Sequence, residues 1–295
     1  MLNAAITQYR LQKALTARAA REATAVWAQI DQAALTASWQ ALLPGLVLTV
    51  TAAQLVAAGQ ADRYVTAALV EQDIDPDAAA AAVPRAFAGV ASDGRDLAAL
   101  LAEPVIAAKF ALGRGARQQD ALASGLARLV RIVGTQVADA GRAAESVATV
   151  ARPRAQGHVR MLQLPSCSRC ALLAGRFYRW SAGFQRHPLC DCRHIPTTEQ
   201  GAGDLTTDPL KAIRSGRVTG IATSDRKAID DGADLGRVLN ARRGMTTADV
   251  GGRQVKATTV LAGRTLRLRP EQIYRQAAGD RLEAVRLLTR AGYLR

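Results

Sequence analysis

Apolar residues recur at helical spacing from the start of the chain: Leu11, Leu15, Ala19, Val26 and Ile30 lie four or seven residues apart. The pattern predicts one or two helices over residues 2–43, with Pro44-Gly45 as the break. A further helix is expected from Ala52 to Glu71, with Thr51 as its N-cap and Leu55, Tyr64, Ala68 and Leu69 among its apolar positions. "DIDPD" is turn chemistry, because Asp caps turns and Pro76 fixes its own φ. Two or three helices then fill residues 77–150, punctuated by "SDGRD" and "GRGAR". The longest runs from Gln119 to Val150 and turns Leu122, Leu126, Leu129, Val130 and Val133 toward a core.

After "ARPRAQGH" the period shortens. "HVRMLQLP" alternates Val159 and Met161 with polar neighbours, as a half-buried strand does, and "GRFYRW" and "CDCRHIP" read as short strands too. Beyond Thr198 short capped helices return: one starts at Asp208-Pro209 and ends near Gly216, one is capped by Ser224 and reaches Gly232, and "DLGRVLNARRG" ends at Gly244. The closing stretch predicts a helix pair broken at Gly279-Asp280. The expected fold is α+β and predominantly α-helical, in three parts. These are a helical docking region over 1–150, a small β-containing cysteine module over 151–200 and a basic helical region over 201–295.

Alanine tracts and only 4% aromatic residues mean that much of the core must be small-side-chain helix packing. One uncharged run, Gln32 to Ala61, is long enough to span a bilayer. It contains Gln40, Gln54, Gln60, several Thr and Pro44-Gly45, so a buried helical hairpin is the expectation and no membrane partner is assigned. The start, "MLNAAITQYRLQKAL", lacks a basic region followed by an apolar core, so the protein is expected to stay in the compartment where it is made.

Charge divides the chain sharply. Residues 1–150 carry 13 Lys and Arg against 13 Asp and Glu, so the whole net charge of +14 falls in residues 151–295, almost all of it as arginine. The planar guanidinium bonds phosphate oxygens in pairs, so this half suits nucleic acid, an acidic protein surface or a solvated face.

All four cysteines lie between residues 167 and 192. Cys167-x2-Cys170 is followed, nineteen residues later, by Cys190-x-Cys192-x-His194, with His187 three residues before Cys190. A CxxC turn aims two thiolates at one centre, and alternate residues of an extended "CDCRH" face the same way. The spacing therefore predicts a structural zinc on Cys167, Cys170, Cys190 and Cys192, with His187 or His194 as substitutes for one thiolate. Disulfides, a thioredoxin-like pair and a Cys/His nucleophile are the competing readings. Arg169, Arg176, Arg179, Arg186 and Arg193 are interleaved with Phe177, Tyr178, Trp180 and Phe184, a pattern that stacks bases and holds phosphates or simply packs over a small sheet.

This stretch resembles the signature of the Mu F-like minor head proteins of tailed bacteriophages, in which a CxxC, an L-x-G and an HP-x-C-x-C follow one another at similar distances. The matching positions are Cys167, Cys170, Leu173, Gly175, His187, Pro188, Cys190 and Cys192, about a ninth of the chain. "IDDGADLGRVLNARRGM" and "EAVRLLTRAGYL" are similar to the tails of such proteins from phages of actinobacteria. The resemblance implies a virion protein assembled in the host cytoplasm. It would sit in the head interior or at the portal vertex, with the portal protein or major capsid protein as partner and phage DNA nearby. Asp191 stands where the family has Arg.

Catalytic signatures are missing: the sequence has no Glu-x-Glu pair, G-x-S-x-G, H-E-x-x-H or Walker A loop. No catalytic residue, small-molecule substrate or cofactor site is assigned. A capsid maturation protease, which needs a Ser partner for His158, His187 or His194, and a zinc-containing nucleic-acid binder are the alternative functions.

Overall fold

A computed structural model describes residues 2–182, 192–241, 245–250, 253–259, 266–268, 270–278 and 280–291. It is predominantly helical with small sheets, an α+β protein. Two compact units are interleaved along the chain: unit 1 is residues 1–161 and 176–206, and unit 2 is residues 162–175 and 207–295. The region read as one cysteine module over 151–200 is thus shared between two bodies.

Unit 1 begins with α1 (Asn3–Trp27), α2 (Leu35–Gly59), α3 (Ala61–Val70), α4 (Leu97–Gly113) and α5 (Gln118–Val150). The 33-residue α5 is the axis, packing against each of the other four. At one end Trp27, Trp39, Leu46, Val50, Leu101, Leu129 and Val133 form a core. Gly125 lets α5 approach closely there, since a Cβ would stand 2.6 Å from the Trp27 ring. Toward the other end, Tyr9, Tyr64, Leu69, Ala144 and Ala148 meet the sheet residues Val159, Met161 and Ile195.

Pro44 does not break the chain; it lies inside α2. An interior proline costs about 3 kcal/mol in an isolated helix. The buried flank of α2 offsets this, with Trp39, Leu46 and Val50 in the core and Trp39 Nε1 donating to the Leu101 carbonyl at 3.2 Å. Thr51 is accordingly mid-helix rather than a cap, and the expected hairpin over 32–61 is a single helix with its turn near Gln60. By length and composition the run Leu35–Val70 could cross a membrane. In the fold one side of α2 is core, while the outer side exposes Leu48 (71%), Leu55 and Val56.

Three strands complete unit 1: β1 (Gly157–Met161), β3 (Phe177–Arg179) and β4 (Arg193–Thr197), antiparallel in the order β3-β1-β4. Gly157 is opposite Arg179, and a Cβ there would overlap the Tyr178 carbonyl oxygen and lie 2.7 Å from Phe177 Cζ and 2.9 Å from Arg179 Cα. Backbone cannot yield as a side-chain tip does. Gly157→Ala is expected to cost about 2–3 kcal/mol in a urea unfolding titration, the upper range for overpacking; a loss under about 0.5 kcal/mol would show that β3 is free to swing away.

In unit 2, β2 (Ser166–Cys167) pairs in parallel with β5 (Val218–Thr219). Around them stand α6 (Ser168–Leu173), α7 (Pro209–Arg214), α8 (Thr223–Asp230) and α9 (Leu235–Asn240), then α10 (Pro270–Gln276) and α11 (Arg281–Arg290). Helices of six to ten residues are marginal alone, so their ends matter. Asp208, Asp234 and Asp280 each accept N-cap bonds from the first turn that follows. Ala228, Ile229, Val238, Ala241 and Ile273 form the core of this unit. A three-stranded antiparallel sheet, β6 (Met245–Val250), β7 (Arg253–Thr259) and β8 (Leu266–Leu268), occupies part of a region expected to be helical.

Candidate functional site

The β3-β1-β4 sheet is fully buried along β1 and β4, and its two faces differ in chemistry. Alternation sends Val159, Met161 and Ile195 into the core with Tyr9 and Val65. It leaves His158 and Arg160 at the intervening positions of β1, opposite Pro196 and His194 of β4. The His158 and His194 rings stack at 4.2 Å, the His158 ring lies 5.6 Å from that of Tyr178, and Arg160 Cζ sits 5.2 Å above the Tyr178 ring. Burial holds the His158 imidazole down at a pKa of about 4, with the neighbouring Arg160 charge as the lesser cause. It is therefore neutral at neutral pH. Burial also pushes the Tyr178 phenol up.

Helix α5 reaches this layer with its own polar residues. Arg142 donates through Nε to the Cys192 carbonyl at 2.9 Å and through Nη1 to Asp139 Oδ1 at 3.0 Å. Ser146 Oγ is 3.2 Å from His194 Nδ1, and the Tyr64 hydroxyl of α3 donates to the His194 carbonyl at 2.5 Å. One helical turn away, Gln8 of α1 donates to Glu145 Oε1 at 2.8 Å, and burial raises the Glu145 carboxyl above the usual range. These bonds tie the entry to β4 to α3 and α5, and α5 in turn to α1. The arrangement is a buried polar clamp.

The residues expected to bind metal belong to both units of the chain. Cys167 caps α6, its Sγ accepting from Cys170 N at 3.4 Å, and buried Cys170 follows on the same helix in unit 2. Cys192 and His194 are buried in unit 1. Cys190, His187 and Arg186 lie outside the described residues. Among the described residues no group of three or more His, Cys, Asp or Glu is arranged to hold a metal ion.

The arginines separate as well. Arg176 and Arg179 are exposed and Arg169 is half-buried, but Arg193 is only 3% exposed, at a strand position within the sheet. Arg193 is therefore not a phosphate contact of the surface. Phe177 packs on the core as a small sheet requires, whereas Trp180 is 57% exposed. Arg142, Asp139, Glu145 and Arg160 escaped sequence reasoning. Their signal was spacing: Asp139, Arg142 and Glu145 recur every three residues within a run of Ala, Gly and Val, which puts charge on a helix side that small residues mark for close packing.

Comparison of the chain with protein-family models, with curated proteins and with solved structures finds no match.

Proposed function

We propose that this chain is a minor head protein of a tailed phage, an architectural component assembled in the host cytoplasm and seated in the head at the portal vertex, close to phage DNA. The observation that carries the reading is the compound spacing of Cys167, Cys170, Leu173, Gly175, His187, Pro188, Cys190 and Cys192. Two further features support it. The buried polar residues of the sheet clamp structure together, and the excess charge is confined to residues 151–295, as suits a protein with one neutral docking half and one half facing DNA. A structural zinc stays part of the proposal on the cysteine spacing alone.

Mass spectrometry of purified particles tests the reading: the chain is expected in mature virions at few copies, encoded beside the portal gene. Its absence from particles would reject it. The protease alternative does find a hydroxyl beside an imidazole, Ser146 with His194, but His194 is a buried residue of strand β4 and Ser146 sits within α5, so the pair is not presented to a peptide. The architectural reading is preferred on that ground.

A further inference from the structure

The outer side of α2 is apolar and exposed. Trp39, Leu46, Val50, Ala53 and Ala57 turn into the core, whereas Ala41, Gly45, Leu48, Ala52, Leu55 and Gly59 all face outward. No Lys, Arg, Asp or Glu occurs from Gln32 to Ala61, and α2 is the sole α-helix among the described residues with none. Exposed Arg10, Arg18 and Arg21 mark the outer side of α1, and Arg128 and Arg131 that of α5, as a solvated helix requires. A helix that is apolar all round is built to be covered all round.

The exposed positions have a spacing of their own. Intervals of four and three residues alternate through Ala41, Gly45, Leu48, Ala52, Leu55 and Gly59, the a/d pattern of a helix–helix seam. The two glycines are the second observation. Neither Gly45 nor Gly59 takes a positive φ, and a Cβ at either would meet nothing within 4 Å. Glycine weakens a helix relative to alanine, and what it gives in return is close approach by another backbone. Among the described residues of the chain no backbone makes that approach.

A second copy of the chain fits this seam in size and in charge. Two α2 helices running antiparallel about a two-fold axis midway between Leu48 and Ala52 bring Leu48 against Ala52, Leu55 against Gly45 and Gly59 against Ala41, each layer occurring twice. Every leucine of the seam then meets a small residue. The face lies in the half of the sequence that carries no net charge, so two chains of net charge +14 approach through it with the least repulsion. A bilayer fits less well: spanning it would pull Trp39, Leu46 and Val50 out of the core, and a helix lying on headgroups carries Lys or Arg on its polar side, of which α2 has none. At about 27 Å long and roughly 10 Å wide, the seam falls short of the ~800 Å² per partner of a standard interface, so the association is reversible.

We propose that the outer side of α2 is a homodimer seam, on which two copies of this chain pair antiparallel through Ala41, Gly45, Leu48, Ala52, Leu55 and Gly59. The pairing does not rest on the head-protein reading, which particle composition decides separately. Sedimentation equilibrium of the full-length chain in reducing buffer, from low to high micromolar concentration, is expected to show monomer and dimer in exchange. Gly45→Leu overpacks the layer with Leu55 twice per dimer and should weaken association at least about 30-fold. The monomer's thermal unfolding midpoint should hold or rise, because the position is open within the chain and leucine is the better helix former. Adding Leu55→Ala to Gly45→Leu should bring the dimer back, since large again meets small. A monomer at every concentration, an assembly that Gly45→Leu leaves intact, or a double variant that stays monomeric would each overturn the proposal. So would flotation of the wild-type chain with phosphatidylcholine vesicles that Leu48→Glu abolishes, which would make a bilayer the occupant.

Discussion

Arg142→Met is expected to lose about 3–5 kcal/mol of folding stability, the cost of removing one partner from a buried charge pair. Arg142 is buried on α5, and its bonds include two of different kinds: an ion pair to Asp139, itself 9% exposed, and a hydrogen bond to the carbonyl of Cys192 just before β4. Methionine keeps much of the volume and supplies neither. The carboxylate of Asp139 then stays in the interior without this cation, and the carbonyl of Cys192 loses this donor. Urea unfolding followed by far-ultraviolet circular dichroism measures the loss. The double variant Asp139→Asn with Arg142→Met should recover part of it, because the stranded charge is gone. A single-variant loss below about 1 kcal/mol would mean that water reaches the site and the clamp is not closed.

The second large effect is on acid stability. His158 has a pKa of about 4 in the fold and about 6.5 in an unfolded chain. Above pH 6.5 the imidazole is neutral in both states and its contribution is fully present. As pH falls from 6.5 to 4 the unfolded chain takes up a proton that the folded chain resists, so stability is lost across that window. The total is on the order of 3 kcal/mol. Below pH 4 both states are protonated and the loss stops growing. Glu145 acts in the opposite sense, since burial raises its carboxyl and the fold holds a proton that the unfolded chain releases. The His158 effect is therefore read as a difference. His158→Phe keeps a ring between His194 and Tyr178, leaves Arg160 in place and removes the titration, so its stability should fall less steeply between pH 6.5 and 4 than that of the wild type. Parallel curves would show that the imidazole is hydrated in the native state.

Much of unit 1 was legible in local pattern. The period of α5 is carried by Leu122, Leu126, Leu129 and Val133, and the three strands of the polar sheet announced themselves by a change of period after "ARPRAQGH". Asp208 and Asp280 marked helix starts because their side chains satisfy first-turn amides, a local act that sequence records directly. Pro44 misled because its cost is local while its compensation, the burial of Trp39 and Leu46, is tertiary. The β6–β7 hairpin was missed although Gly251-Gly252 between Thr- and Val-bearing runs is hairpin turn chemistry. The polar clamp was the least legible part. Apolar periodicity finds the side of a helix that faces oil, and Asp139, Arg142 and Glu145 are buried by pairing, which depends on residues 50 or more positions away as well as on close neighbours. Composition likewise suggested boundaries at 150 and 200, since it cannot register which distant segments fold together.

The interleaving of the two units bears on how the chain emerges from the ribosome. Unit 1 is complete at Thr206, and the sole part of unit 2 made before then is the stretch 162–175. While synthesis continues, that stretch is a loop bridging β1 and β3, and closing a loop of this size adds little entropy cost. The five helices and the β3-β1-β4 sheet can therefore settle first. Ser166 and Cys167 must wait for Val218 and Thr219 before β2 has a partner. The connectivity thus sets a temporal order, in which an early-folding body holds out a short strand and helix as the seed on which the later one assembles.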